Sequence, residues 1–384
     1  MMLLKDEILS KVSKFHNFLF TKKLLFSLLI FITIFFIVIF FVINKSLVRN
    51  DIGDSRKNYT SQKNVMQNDM KESCVSNPQP VFTHDFTDLS KIEALGILGG
   101  AVGGSPGRSY VTVKKGEKVP VYNPMDAVLE TIVWADRGSG QPEYGFYFRA
   151  SCEVIYLLDH VEEISDDLKD LRPEKPASST ATQFGSQPNV LLKAGQLLGY
   201  TDGTPQARTF DFLLINKNKP TFHINPARWK WEQAVYADCP YEYYEESMKK
   251  QYFDLLGIPI EGGKLLKATD CGSPSADVVG TLSGGWFQGE STTEKGKRVM
   301  FEQQFNSMEM SIREAGSIRN FSLKQFDPLI TPNKVTPGMT VCFQGYENNW
   351  VYINLISDTT LNLTTGTGQC PSSFPSSQAE IWIR

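Results

Sequence analysis

Residues 189–216 read NVLLKAGQLLGYTDGTPQARTFDFLLIN. Three short apolar runs, at 190–192, 197–200 and 210–215, are separated by the turn Ala194-Gly195-Gln196 and by a loop rich in Gly, Pro and Asp. Strands of this length, broken by Gly turns, predict a compact antiparallel sheet. Upstream the same texture recurs: residues 110–113, 119–122, 127–134, 144–150 and 153–158 alternate or run apolar at strand length, with turns at Gly116, 136–140 and Ser151.

The order "apolar strand, KAGQLLGYTDGT, spacer, TFDFLLIN" resembles the end of lysostaphin-type metallopeptidase domains, which have the duplicated-hybrid-motif fold. KKGEKVPVYNP at 114–124 and YLLDH at 156–160 are similar to two further segments of that family, so the resemblance spans roughly 95–216. It implies an antiparallel β-sheet peptidase-like domain with a zinc ion held by an H-x-x-x-D motif and the second His of H-x-H. On this chain the first motif falls at Arg108 and Thr112, and the second at Thr209 and Asp211. Only His160 keeps its family identity, in a role that flanks the metal. A zinc hydrolase needs three protein ligands and an open water position, which an Arg and two Thr do not supply. The expectation is a pseudoenzyme that keeps a concave groove near Arg108, His160, Tyr200, Thr209 and Asp211, with no catalytic residue and no resident metal. The alternative is a divergent zinc-dependent cell-envelope hydrolase using His160, Asp159 and Asp211, with His84 or His223 completing a shifted site.

Around this unit the 384 residues carry a net charge of −3 and 12% aromatics, which suits β-rich globular structure and argues against a nucleic-acid partner. Residues 24–43, LLFSLLIFITIFFIVIFFVI, are twenty without a charge, enough for a transmembrane helix across about 30 Å of hydrocarbon. A cleaved signal peptide is the rival reading, but no small-x-small site follows. All six cysteines (Cys74, Cys152, Cys239, Cys271, Cys342, Cys370) lie after the span, which places that side in an oxidising space. Nearness in sequence favours Cys342–Cys370 and Cys239–Cys271, leaving Cys74–Cys152. The reading is a cytoplasmic tail at 1–23, a single-pass signal-anchor at 24–43, a stalk at 44–80, and extracytoplasmic units at 81–260 and 271–384.

Several segments have two readings. GILGGAVGGSPG followed by Arg108-Ser109 mimics a phosphate loop, but the first Gly of that motif would fall at Val102 and a strand follows. Val161, Ile164, Leu168 and Leu171 recur at helical spacing opposite acidic residues, giving a solvated helix face or a cation site. Residues 173–188 read as a loop insertion. Pro240 at a first turn, the stripe Tyr241, Tyr244, Met248, Tyr252, Leu255, and Gly257 with Pro259 as stops predict a closing helix over 240–256. The aromatics from Trp229 to Tyr244 are core or a sugar-stacking surface. From Cys271 onward, strand-length runs at intervals of roughly ten residues predict a small β-barrel or sandwich, with a filled core or a small apolar ligand. The predicted function is a membrane-anchored binding or scaffolding module whose partner is cell-envelope glycan, peptide or another protein.

Overall fold

In a half-buried strand every second side chain faces the core, and this period governs most of the chain. The computed structural model describes residues 74–384 except 100–106, 137–141, 180, 206, 261–262, 305–306, 315–316, 324–329 and 346–347. The tail at 1–23, the span at 24–43 and the stalk up to residue 73 lie outside the described residues. Among the described residues no helix is long and apolar enough to cross a membrane. The architecture is mainly β.

The first ten strands are β1 (Ile92–Leu95), β2 (Arg108–Val113), β3 (Val119–Tyr122), β4 (Ala127–Ala135), β5 (Glu143–Arg149), β6 (Val154–Val161), β7 (Glu163–Ile164), β8 (Val190–Leu192), β9 (Leu197–Thr201) and β10 (Thr209–Asn216). Seven form one sheet in the order β1-β2-β10-β6-β5-β4-β8, and β3-β9-β7 form a second, small one. One face of the larger sheet sends Val111, Phe146, Phe148, Tyr156, Leu158, Phe210 and Phe212 into the main core. Phe82 and Phe86 pack there with Tyr241, Tyr243, Tyr244 and Tyr252, each at most 2% exposed. Such rings bury about 150–250 Å² apiece and dominate the stability of this half. The aromatics from 229 to 244 are therefore core at Trp229, Tyr241, Tyr243 and Tyr244, while Trp231 and Tyr236 are half-buried.

Two helical expectations are corrected. The chain over 240–256 is not one helix: after α1 (Glu232–Val235) comes a 3-10 turn at Pro240–Tyr243, then α2 (Glu246–Asp254). Tyr244 and Glu245 are extended because Phe82 lies along them, its N–H donating to Tyr243 O at 2.7 Å and its carbonyl accepting from Glu245 N. Likewise, Val161 ends β6, Glu163–Ile164 form β7, and only Asp166–Leu171 wind, as a 3-10 turn. Backbone pairing with β9 captures this stretch, Glu162 N donating to Tyr200 O and Ser165 N to Leu198 O. The insertion at 173–188 is laid along β4: Ala177 N donates to Trp134 O at 2.8 Å and Ser186 N to Ile132 O at 2.9 Å.

The second half begins with the hairpin β11 (Gly257–Ile260) and β12 (Lys264–Lys267). There follow β13 (Gly284–Phe287), β14 (Arg298–Gln304), β15 (Ser307–Glu314), β16 (Ser317–Leu323), β17 (Thr340–Gln344), β18 (Asn349–Ser357), β19 (Thr360–Thr367) and β20 (Glu380–Ile383). They make one eight-stranded antiparallel sheet in the order β16-β15-β14-β13-β20-β19-β18-β17, rather than two sheets facing each other. Trp286, Phe301, Val351, Ile353, Leu361, Leu363 and Trp382 fill its core. Gly284, at φ +118, opens this sheet; a Cβ there would meet Asp277 Oδ1 at 1.9 Å, so only glycine fits. The disulfides are Cys74–Cys152, Cys239–Cys271 and Cys342–Cys370.

Candidate functional site

The second face of the large sheet carries the charges. Arg108, Tyr110 and Thr112 of β2, Thr209 and Asp211 of β10, and Glu143, Gly145 and Tyr147 of β5 stand at the positions opposite the core set. Asp211 is in register with Tyr110 on one side and with Asp159 of β6 on the other, so two carboxylates from distant segments become neighbours. Strand β6 has one extra residue at this point: Tyr144 pairs with Val161 and Phe146 with Leu158, leaving Asp159 and His160 opposite the single Gly145. His160 takes up the extra residue at φ +64. Such a bulge re-aims side chains, so adjacent Asp159 and His160 both reach the cluster instead of alternating.

Arg108 Nη1 donates to Asp211 Oδ2 at 2.6 Å and to Asp159 Oδ2 at 2.8 Å. Its Nε meets no hydrogen-bond partner among the described residues. His160 Nδ1 lies 2.6 Å from Glu143 Oε2 and its Nε2 lies 3.4 Å from Asp211 Oδ2. Burial pulls the imidazole pKa down, but the hydrogen bonds to Asp211 and Glu143 and the charges of Asp159 and Asp211 overcome it and raise it to about 10. Burial likewise opposes ionisation of Asp211, yet His160 and Arg108 hold its carboxyl below the ordinary value. Tyr147 is pushed up by burial and by the Asp159 charge. At neutral pH the cluster thus contains two cations, Arg108 and His160, interleaved with Asp159, Asp211 and Glu143.

The zinc that the resemblance implies can be tested against this donor set. The ligand atoms of Asp159, His160 and Asp211 lie within 4.8 Å of one another, close enough to converge on an ion. Both carboxylates, however, already accept from the Arg108 guanidinium, and both ring nitrogens of His160 face carboxylates and are protonated at neutral pH. Metal ligands must be deprotonated and free to turn toward the ion. The residues as arranged do not fit zinc unless Arg108 leaves.

Gly145 is part of the same construction. A Cβ on it would sit 2.9 Å from Asp159 Oδ1, and that carboxylate is pinned by Arg108. Gly145→Ala is expected to lower stability by about 1–3 kcal/mol, the usual range for overpacking, read by urea unfolding. A loss within about 0.5 kcal/mol would mean that Asp159 is not held in place.

Of the residues singled out in the sequence, Arg108, Asp159, His160 and Asp211 come together. Thr209 and Thr112 face each other across β10 and β2, one step along the ladder and outside the hydrogen-bonded cluster. Tyr200, 40% exposed, lines a separate cleft with Glu162 and Leu197. His84 and His223 are structural: His84 Nδ1 lies 2.7 Å from Asp85 O, and His223 is buried, stacked on Trp229 with Nε2 2.8 Å from Ala234 O. Glu143 and Tyr147 were not legible as site residues; the available signal was Gly145 between them, opposite the Asp-His pair that ends an apolar strand.

No protein-family profile matches the chain, and no curated protein does. Among solved structures, the NMR solution structure of lysostaphin is similar at 11% identity over 72% of this chain and 79% of that one, with a TM-score of 0.22. At that TM-score the likeness carries no weight in assigning the site.

Proposed function

We propose that this chain is a membrane-anchored extracytoplasmic protein whose first β-unit is a catalytically inactive, peptidase-like binding or scaffolding module at the cell envelope. The observation that carries this reading is the guanidinium of Arg108 lying between Asp159 and Asp211, where a hydrolytic ion would need those carboxylates. Glu143 and Asp211 favour the protonated form of His160, which opposes its use as a general base at neutral pH. The uncharged twenty-residue stretch at 24–43 and the three disulfides support an anchored protein in an oxidising compartment. Its partner would be envelope glycan, peptide or protein, and not nucleic acid.

The divergent metal-dependent hydrolase is the second reading, favoured by the convergence of Asp159, His160 and Asp211. Purified full-length chain in detergent, exposed to zinc and then dialysed, separates the two. The expected result is zinc well below one ion per chain in the wild type, rising in Arg108→Ala as the carboxylates are vacated. Stoichiometric zinc in the wild type, lost in His160→Ala, would reject the inactive reading.

A further inference from the structure

A cleft of 580 Å³ lies between β5, β7, β9 and the 3-10 turn at Asp166–Leu171. Ile164, Leu197 and the exposed ring of Tyr200 form an apolar wall, and Glu162, Glu163, Asp166 and Asp167 bring carboxylates to it. Its volume lies within the range of ligand pockets. Two of the acids have cations of their own, Lys118 on Glu163 and Lys169 on Asp166, in contacts between largely exposed side chains that contribute little. Asp167 forms no ion pair among the described residues. Glu162 faces Asp202, whose N–H donates to its Oε2 at 3.4 Å, so two acids are held together with no arginine between them. Lys118 and Lys169 supply only part of the countercharge here. Although Lys118 also acts on Glu162, burial and the neighbouring Asp202 push the Glu162 carboxyl up to about 7, a cost that an added cation would relieve.

A second observation is independent of the acids. Ser165, 6% exposed, lines the cleft, and its Oγ meets no hydrogen-bond partner among the described residues. It stands at the N-cap of the 3-10 turn and makes no capping bond there. A buried hydroxyl left this way is costly unless something outside the chain completes it.

We infer that this cleft binds an extended cationic peptide segment, taking a Lys or Arg side chain with its charge on Glu162 and Asp167 and its aliphatic stem against Tyr200. A divalent ion is disfavoured because the cleft's carboxylates do not converge: among the described residues the only grouping of three potential ligands is at Asp159, His160 and Asp211. Calcium needs six or more oxygens gathered at about 2.3–2.6 Å, whereas an ammonium or guanidinium group tolerates spread acceptors and gains from an aromatic face. An extended backbone suits the place because β7 ends the sheet order β3-β9-β7, with no strand pairing its other side among the described residues.

The test is calorimetric titration of the full-length chain in detergent at low ionic strength. The probe is acetyl-trilysine amide, beside the same peptide acetylated on every Nε and calcium chloride alone. Saturable binding of the charged peptide is expected, weakened at least about tenfold by Nε-acetylation and by Glu162→Gln with Asp167→Asn. Tyr200→Ala, an exposed position, is expected to weaken it about threefold and serves as a second variant should the double one fold poorly. No binding of the charged peptide, equal binding of the acetylated one, or unchanged affinity in both variants overturns the proposal, as does calcium binding at the cleft without peptide binding. The zinc measurement reads the Arg108 cluster, none of whose residues lines this cleft, so failure of either reading is visible without the other.

Discussion

Arg108→Ala is expected to lower the stability of the folded chain by about 3–5 kcal/mol, the range for removing one partner of a buried ionic group. Asp159 is 0% exposed and Asp211 3%, and the two are in register on adjacent strands, so without the guanidinium His160, 3.4 Å from Asp211 and 4.0 Å from Asp159, is the one cation left beside both carboxylates away from water. The loss is large beside a total of about 5–15 kcal/mol for a domain. It follows from charge that His160 alone compensates only in part rather than from a missing contact, which gives a control. Adding Asp159→Asn to Arg108→Ala should return part of the stability, although it removes a second hydrogen-bonding group. Urea unfolding of the three chains decides it: a loss under about 1 kcal/mol for Arg108→Ala, or a further loss on adding Asp159→Asn, would mean that the arginine does not hold the carboxylates.

The pH dependence of stability should carry the second large effect. His160 keeps its proton in the folded chain up to about 10, whereas an unfolded histidine releases it near 6.5. Its contribution is fully present below the unfolded value and is lost as pH rises through the folded one, because between the two the folded state binds more protons. The slope is at most about 1.4 kcal/mol per pH unit, and coupling with Asp211 and Glu143 spreads it over the window. Comparing unfolding free energies at about pH 6 and about pH 9.5 should show a fall of a few kcal/mol in the wild type and a much flatter response in His160→Gln. Equal slopes in the two proteins would remove His160 as the cause. On the acid side the sign reverses: Asp211, held below its ordinary value, contributes above that value, and its share disappears as pH falls.

Much of the strand framework was legible because period two is a local property. The runs at 119–122 and 190–192 have the same limits as β3 and β8. The helical spacing at 161–171 misled because four apolar residues three or four apart satisfy a helix, while the partner that captures 162–165 as extended chain lies in β9, some thirty-five residues further on. Pro240 and the tyrosine stripe misled similarly: the break at Tyr244–Glu245 is made by Phe82, more than a hundred and fifty residues earlier in the chain. The charged cluster was legible as single residues but not as an ion-paired group. Arg108, Asp159 and Asp211 are joined by strand register across separations of 51 and 103 residues. The bulge that turns His160 toward them has no local code beyond a residue type that tolerates positive φ. The cysteine pairs agree with nearness in sequence.

The bond between Cys74 and Cys152 has a mechanical meaning. Cys152 lies in the turn joining β5 and β6, and around it Cys152 N donates to Val75 O while Ser76 Oγ donates to Glu153. Tension applied to the chain ahead of Cys74 would therefore pass through sulfur into the hairpin that bears Glu143, Asp159 and His160, bypassing the seventy-odd residues between the two cysteines. Reducing that one bond would leave the load on the hydrogen bonds that Val75, Ser76 and Asn77 make with the same turn and on Pro78 O, which accepts from Asn216 Nδ2 of β10, so the force needed to extend the protein should depend on its redox state.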